Sequence, residues 1–311
     1  MKISDWISDT SKRIEEAGID SAHLDAELIL AHVLGKSREW LLAHNDSLIE
    51  KEILGRIQDD IDRRVNREPL AYILGKKEFY GREFVVSPNV LIPRPESEQI
   101  IVELAKTLEL HFKKAAPPAT AGARKIGLSP MTIGRHPICA SGNDVPGFSR
   151  SKILDIGTGS GALAITAALE FPFLQVTASD ISNAAMGTAR QNANKLGAKV
   201  TFLKSDLLNN IDEKFDIILA NLPYVDKKWQ ASPETNHEPE IALFAANNGL
   251  DLIKKLIKQV PKNLNKNGFL ILEMDSRQIK TIKKFAAEHN FQTVNEWPFG
   301  LVLKQPAEPN N

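Results

Sequence analysis

The 311 residues predict an α/β protein in which a small helical bundle precedes a mostly parallel, doubly wound sheet. Three observations carry this expectation. Apolar residues recur at helical spacing through about the first 66 positions. From Lys152 onward, short apolar runs alternate with stretches long enough for crossover helices. One of those runs leads into Gly157-Thr158-Gly159-Ser160-Gly161, a turn of the kind that ends a strand and opens a helix.

In chain order, Trp6, Ile7 and Ile14 mark a first helix, and Leu24, Leu28, Ala31 and Leu34 a second, with Gly18 and Gly35 as stops. Ile49, Ile53, Ile57 and Ile61 advance four residues at a time beside Asp59, Asp60, Arg63 and Arg64, which gives one dry face and one charged face. After Pro69 the pattern changes. Phe79, Phe84 to Val86 and Val90 to Ile92 form short apolar runs broken by Gly81, Pro88 and Pro93, as in strands or a hairpin. Pro95 suits the first turn of a helix continuing through Ile100, Ile101, Leu104 and Leu108. More than half of residues 115–151 are Ala, Gly, Pro or Ser, which reads as a flexible insertion. Strands are then expected at 153–156, 176–178, 200–203, 217–220 and 269–272, with closing strands at 291–294 and 301–303. The chain divides into a helical domain over 1–75, a connecting hairpin and helix over 76–114, the insertion over 115–151 and the sheet domain over 152–311.

Composition narrows the function. Hydrophobic residues at 42% and charged ones at 25% exclude a collagen, a wholly disordered chain and a disulfide scaffold. Lys and Arg total 39, as do Asp and Glu, which removes a whole-chain electrostatic case for wrapping nucleic acid. Cys139 is the single cysteine, so neither a disulfide nor a cysteine zinc cluster can form within the chain. His136 beside it makes an incidental pair rather than a metal site, and no metal is expected. Charges interrupt the N-terminus, and no uncharged apolar stretch approaches membrane-spanning length, so a cytoplasmic protein is expected. Gly35-Lys36-Ser37 resembles the tail of a phosphate loop, but Leu30 stands where that loop needs glycine.

The glycine turn marks a ligand site. Its glycines permit positive φ and close approach, and the helix start is expected to present unpaired N–H groups. Asp180 follows Gly161 by 19 residues at the end of the next strand, where a carboxylate can accept both hydroxyl hydrogens of a ribose. Two cofactors fit these facts, since Gly157-x-Gly159-x-x-Ala162 also satisfies the loose dinucleotide fingerprint. Asp155 leans toward S-adenosylmethionine, whose positive end an acidic group beside the turn can face.

A further buried run ends in Asn221-Leu222-Pro223-Tyr224, on the rim where a parallel sheet binds ligands. Methyl transfer to an amide or aromatic amino nitrogen needs hydrogen-bond acceptors more than a base, because the lone pair is delocalised and the nitrogen proton becomes acidic once a methyl arrives. Asn221 offers a side-chain carbonyl and Leu222 a backbone carbonyl, which Pro223 aims by holding Leu222 extended. Tyr224 can cover the flat face of an amide or base.

With these residues and Phe79-Tyr80-Gly81, Val90 to Glu98 with its Pro93-Arg94-Pro95-Glu96-Ser97-Glu98 core, Ser205-Asp206-Leu207 and His237-Glu238-Pro239, the chain resembles the PrmC or HemK family. That family methylates the glutamine side-chain amide of peptide chain release factors. The resemblance implies a Rossmann-like, seven-stranded class I methyltransferase sheet with a small N-terminal helical bundle domain. It implies that Gly157, Thr158, Gly159, Ser160, Gly161, Asp180, Leu207 and Asn221 hold S-adenosylmethionine, and that Asn221, Leu222, Pro223 and Tyr224 grip the target glutamine and carry catalysis. It further implies release factors 1 and 2 as protein substrates, a monomer, and no stable binding of nucleic acid. Leu222 replaces the family's usual proline, yet keeps the backbone carbonyl. The insertion is atypical, and the end around Asn295 to Gly300 is shorter than the usual closing hairpin.

The rivals are adenine amino-group methyltransferases of ribosomal RNA or DNA, which share related tetrapeptides, and ribosomal-protein glutamine methyltransferases. The nucleic-acid enzymes need clustered cations, which the charge balance disfavours, although the lysines between Lys254 and Lys304 leave a local patch open. Domain order separates them too, since about 150 residues precede the glycine turn here and RNA enzymes place the sheet first.

Overall fold

The structure is a computed structural model that describes residues 1–115, 151–229 and 232–306. All but the end residues of the expected insertion, with His136 and Cys139, lie outside the described residues. The chain forms two compact units. One comprises Met1–Lys76, Val86–Pro88 and Ala231–Glu238, and the other Lys77–Val85, Asn89–Gln230 and Pro239–Asn311.

The first unit holds α1 (Ile3–Glu16), α2 (Ala22–Leu34), α3 (Arg38–Ala43), α4 (Lys51–Val65) and α5 (Leu70–Leu74). In α1 the residues Ile3, Trp6, Ile7, Thr10 and Ile14 fall on one face and are buried. Gly35, with φ of 63°, ends α2 in the left-handed conformation that a side chain disfavours. Ser37 accepts the Trp40 N–H at 3.2 Å as the N-cap of α3, so the phosphate-loop look-alike is a helix start.

The buried face of α2 differs from the expected stripe. Leu24 is exposed, whereas Asp25, Ala26, Ile29 and Leu30 face the core. Asp25 is held there by Arg64 of α4, whose Nε donates to its carboxylate at 2.6 Å with both side chains buried. Arg64 and Arg67 also reach Glu234 of the 231–238 segment, and the ring of the exposed His237 meets the Asn66 carbonyl at 3.1 Å.

The second unit opens with a hairpin of β1 (Lys76–Phe79) and β2 (Arg82–Val85). Tyr80 and Gly81 link the strands with φ of 51° and 69°, as a tight right-twisting hairpin requires. The apolar run Val90 to Ile92 joins no strand, a departure from the expected pattern, and Val90 and Ile92 are buried as irregular chain. Pro95–Ser97 forms one 3-10 turn with proline at its start and leads into α6 (Glu98–Ala115).

Alternation then follows: β3 (Lys152–Ile156), α7 (Ala162–Glu170), β4 (Gln175–Asp180), α8 (Asn183–Leu196), β5 (Val200–Lys204) and β6 (Phe215–Ala220). After α9 (Glu240–Leu243) and α10 (Asp251–Asn263) come β7 (Leu264–Glu273), α11 (Ser276–Glu288), β8 (Gln292–Trp297) and β9 (Gly300–Lys304). The seven-stranded sheet runs β5-β4-β3-β6-β7-β9-β8, parallel except for β9, which is antiparallel to both neighbours. This is the expected Rossmann-like sheet. Apolar layers cover both faces, one around Ile153, Phe171 and Ile217 and the other around Leu154, Ile218 and Leu256.

Candidate active site

Strand register builds the site. β3 and β6 are neighbours at the point where strand order reverses, the place at which open parallel sheets bind ligands. Ile156 pairs with Ala220, and Ala220 with Leu272. The next residue of each strand lies on one rim, so Gly157, Asn221 and Glu273 come side by side. A Cβ built on Gly157 would stand 3.1 Å from Leu222 Cδ2, so the glycine turn and the tetrapeptide are packed together.

The turn is tied down from within. Gly157, Gly159 and Gly161 have φ of 70°, 56° and 82°. The N–H groups of Gly157 and Thr158 both donate to the Ser179 carbonyl at 2.9 Å, Gly159 N–H donates to Asp180 Oδ2 at 2.9 Å, and Gly161 N–H to the Thr158 carbonyl at 2.8 Å. The expectation of unpaired N–H groups is therefore corrected for these four. A phosphate cradle needs such donors free, so the geometry weighs against a dinucleotide and suits a nucleoside without phosphate.

Asp155 lies fully buried beneath the turn. Its Oδ2 accepts the Thr158 hydroxyl at 2.7 Å and the Ala164 N–H at 3.2 Å, while Oδ1 is buried without a partner. Burial pushes its carboxyl up to about 6, the Thr158 and Ala164 donors pull it down, and Asp180 adds a smaller upward push. An orphaned acceptor of this kind fits a positively charged ligand. At Gly159 a Cβ would meet nothing within 4 Å, so the turn is open on that side. The residues present thus fit S-adenosylmethionine. Ser160 is buried and its carbonyl accepts from Asn192 Nδ2 at 2.9 Å, which joins the turn to α8.

Asp180 reaches the turn, but one lone pair of each carboxylate oxygen is already committed: Oδ2 to Gly159 N–H and Oδ1 to Ser182 N–H at 2.8 Å. The remaining lone pairs are those available to a ribose. Leu207 is buried with φ of 50°, a turn that carries the chain after β5 back toward the sheet. Glu238 is buried in the segment that belongs to the helical unit.

In the tetrapeptide, Asn221 Nδ2 donates to Ser97 Oγ at 2.8 Å, which leaves its carbonyl oxygen as the presented acceptor. Leu222 is buried, and among the described residues no hydrogen bond is made to its backbone carbonyl. Tyr224 is pinned at both ends. Its hydroxyl donates to Glu273 Oε1 at 3.3 Å and its carbonyl accepts from Gln278 Nε2 at 2.8 Å. Gly249 with φ of 77° permits that backbone packing, since a Cβ there would fall 1.8 Å from the Tyr224 carbonyl oxygen. Burial first, and then Glu273, push the Tyr224 hydroxyl above its ordinary range.

Ser97 and Glu273 were not among the expected site residues. Ser97 lies inside the Pro-Arg-Pro-Glu-Ser-Glu stretch that carried the resemblance, and a charge directly after the apolar run Phe269 to Leu272 was the available signal for Glu273. Among the described residues, no group of three or more His, Cys, Asp or Glu is placed to hold a metal ion, and no helix is long and apolar enough to cross a membrane.

Residues 5–75 match the PrmC N-terminal domain and residues 144–238 the methyltransferase small domain. The chain is 34% identical over 295 residues to a bifunctional methyltransferase of Rickettsia felis, covering 93% of this chain and 54% of that one; it spans about half the length of such relatives. The ribosomal protein L11 methylase of Lactobacillus delbrueckii subsp. bulgaricus, a solved structure, is 27% identical, with a TM-score of 0.38 over 51% of this chain and 72% of that chain. A release factor glutamine methyltransferase of Koribacter versatilis is 36% identical over 269 residues, 85% of this chain and 82% of that protein. One of Neisseria gonorrhoeae is 35% identical over 280 residues, 88% of each. By this similarity along most of both chains, the protein belongs to the family of release factor glutamine methyltransferases.

Proposed function

We propose that the chain methylates the side-chain amide nitrogen of the glutamine in the Gly-Gly-Gln motif of peptide chain release factors 1 and 2, with S-adenosylmethionine as methyl donor. The carrying observation is the pairing of Asn221 Nδ2 with Ser97 Oγ beside the packed contact of Leu222 and Gly157. Two carbonyl oxygens, one from Asn221 and one from Leu222, are thereby left as acceptors next to a turn suited to a cationic nucleoside. When bound, S-adenosylmethionine supplies an electrophilic methyl group.

Asn221 and the Leu222 carbonyl receive the two N–H hydrogens of the incoming amide and orient its nitrogen lone pair. As the N–C bond forms, positive charge grows on nitrogen, and the two fixed carbonyl dipoles stabilise it. The methyl–sulfur bond would break as the N–C bond forms, with the donor leaving as a neutral thioether, and the nitrogen then gives up one proton to water, leaving the N-methyl amide. Tyr224, pinned by Glu273 and Gln278, covers the planar amide and excludes water.

The helical unit, expected over 1–75, recognises the protein substrate. The chain acts as a monomer in the cytoplasm and on protein rather than nucleic acid. Incubation of the purified chain with methyl-labelled cofactor and, separately, release factors, a ribosomal protein, ribosomal RNA and duplex DNA tests this. Label in the release-factor glutamine is expected; label only in nucleic acid or in the ribosomal protein overturns the reading.

A further inference from the structure

Glu273 ends β7 one residue beyond the pairing of Ala220 with Leu272, and lies opposite Gly300 of β9. It is buried. Oε1 accepts the Tyr224 hydroxyl at 3.3 Å, and Oε2 is buried with no partner among the described residues. The Ser97 hydroxyl, whose oxygen accepts from Asn221, keeps its own hydrogen, and its hydrogen bonding favours the ionised form of Glu273. Ser97, Asn221, Tyr224 and Glu273 come from three separate stretches of chain and form one polar cluster around the tetrapeptide.

Burying a carboxylate with one oxygen unpaired is costly, and a methionine or leucine at the end of β7 would avoid that cost. We propose that Glu273 is a positioning residue of the methyl-acceptor site: its carboxylate fixes the Tyr224 and Ser97 hydroxyls, and through Ser97 it turns the Asn221 carbonyl oxygen toward the substrate amide. This inference rests on the function proposed above.

The arrangement requires the ionised carboxylate, which accepts the Tyr224 hydroxyl and whose charge attracts the Ser97 hydroxyl hydrogen. A protonated Glu273 is itself a donor and competes for the same oxygens. Burial pushes its carboxyl up to about 7, opposed by hydrogen bonding from Ser97 and Tyr224 and, more weakly, from Asn221. The charged groups around it add to the upward push: Glu96 acts from the turn before α6, and Asp275, at the N-cap of α11, acts on Tyr224. Methyl transfer is therefore expected to rise with pH through about 7 as Glu273 ionises.

The experiment compares wild type, Glu273→Gln and Glu273→Asp in single-turnover methylation of a release factor from pH 5.5 to 8.5, with cofactor affinity measured by calorimetry. Glu273→Gln is expected to lower the rate about 100-fold, the scale of a misaligned reacting group, with little change in cofactor affinity. It should also lose the ionisation step, which Glu273→Asp should keep. Carbon-13 NMR of the labelled carboxylates supplies a readout that needs neither turnover nor the Glu273 variants. Ser97→Ala and Tyr224→Phe each remove a donor to the ionised form, so each should raise the pH at which Glu273 titrates. A wild-type rate and pH profile in Glu273→Gln, or a Glu273 titration unmoved in both donor variants, overturns the inference. Failure of the wild type to label release factors overturns the proposed function instead, and the NMR titration still decides whether the cluster exists.

Discussion

Leu222 packs against Gly157 so closely that a Cβ on the glycine would stand 3.1 Å from Leu222 Cδ2. The glycine also sits at φ of 70°. Gly157→Ala should therefore pay about 1–2 kcal/mol for the left-handed backbone and a further cost for displacing Leu222. Gly159→Ala is the control, since its φ of 56° carries the backbone cost while its Cβ would meet nothing within 4 Å. Urea denaturation of the two variants separates the terms. Equal destabilisation would show that the packing of Leu222 on Gly157 has no energetic weight.

Asn221 and Asp180 occupy the same rim but should fail differently. Removing one preorganised dipole at a reacting centre costs about 2.7–4 kcal/mol, so Asn221→Ala should slow single-turnover methylation roughly 100- to 1000-fold. Asp180→Ala removes the acceptor of Gly159 and Ser182 N–H groups and the proposed ribose partner, so cofactor affinity should fall first. Its rate at saturating cofactor should stay closer to wild type. A wild-type rate in Asn221→Ala would rule out the proposed mechanism.

Asp155 makes stability depend on pH. Burial pushes its folded carboxyl from an ordinary 3.8 up to about 6, so the penalty for ionising it is absent below about 4 and complete once pH has risen past 6. A shift of about two pH units corresponds to about 3 kcal/mol. Between pH 4 and pH 8 the wild type should lose stability by roughly that much more than Asp155→Asn, as read from urea midpoints. Added S-adenosylmethionine should protect the wild type more at pH 8 than at pH 4. Parallel pH curves for the two proteins would remove Asp155 from the account.

Arg64 compensates the buried Asp25 of the helical unit at 2.6 Å. Arg64→Ala strands that carboxylate and should cost about 3–5 kcal/mol in chemical denaturation, the scale of breaking a buried pair from one side. The double variant Asp25→Leu with Arg64→Met, which removes both charges, should recover most of the loss. If the single variant lost less than about 1 kcal/mol, water or a neighbouring cation would have to be serving Asp25 instead.

Local pattern made the sheet strands readable in advance. Continuous apolar runs such as Ile153 to Ile156 and Ile217 to Ala220 are what a sheet covered on both faces demands, and they fall in β3 and β6 as expected. Hydropathy misplaced the face of α2, because it scores Asp25 as a surface residue and cannot see that Arg64, 39 positions away, will neutralise it. The same blindness hid Ser97 and Glu273. Each looks like an ordinary polar residue until the chain folds and brings it to Asn221 and Tyr224.

By itself the sequence determined which segments become strands and where glycine allows the chain to turn, since these depend on side-chain type and short-range spacing. Tertiary structure alone decided that the turn's N–H groups at Gly157, Thr158, Gly159 and Gly161 are taken up internally, that the Asn221 amide nitrogen donates to Ser97, and that a buried Glu273 meets the Tyr224 hydroxyl. The reason is physical: hydrogen-bond partners and desolvation are set by strand register and packing between residues distant in sequence, and these exist only once the sheet has formed.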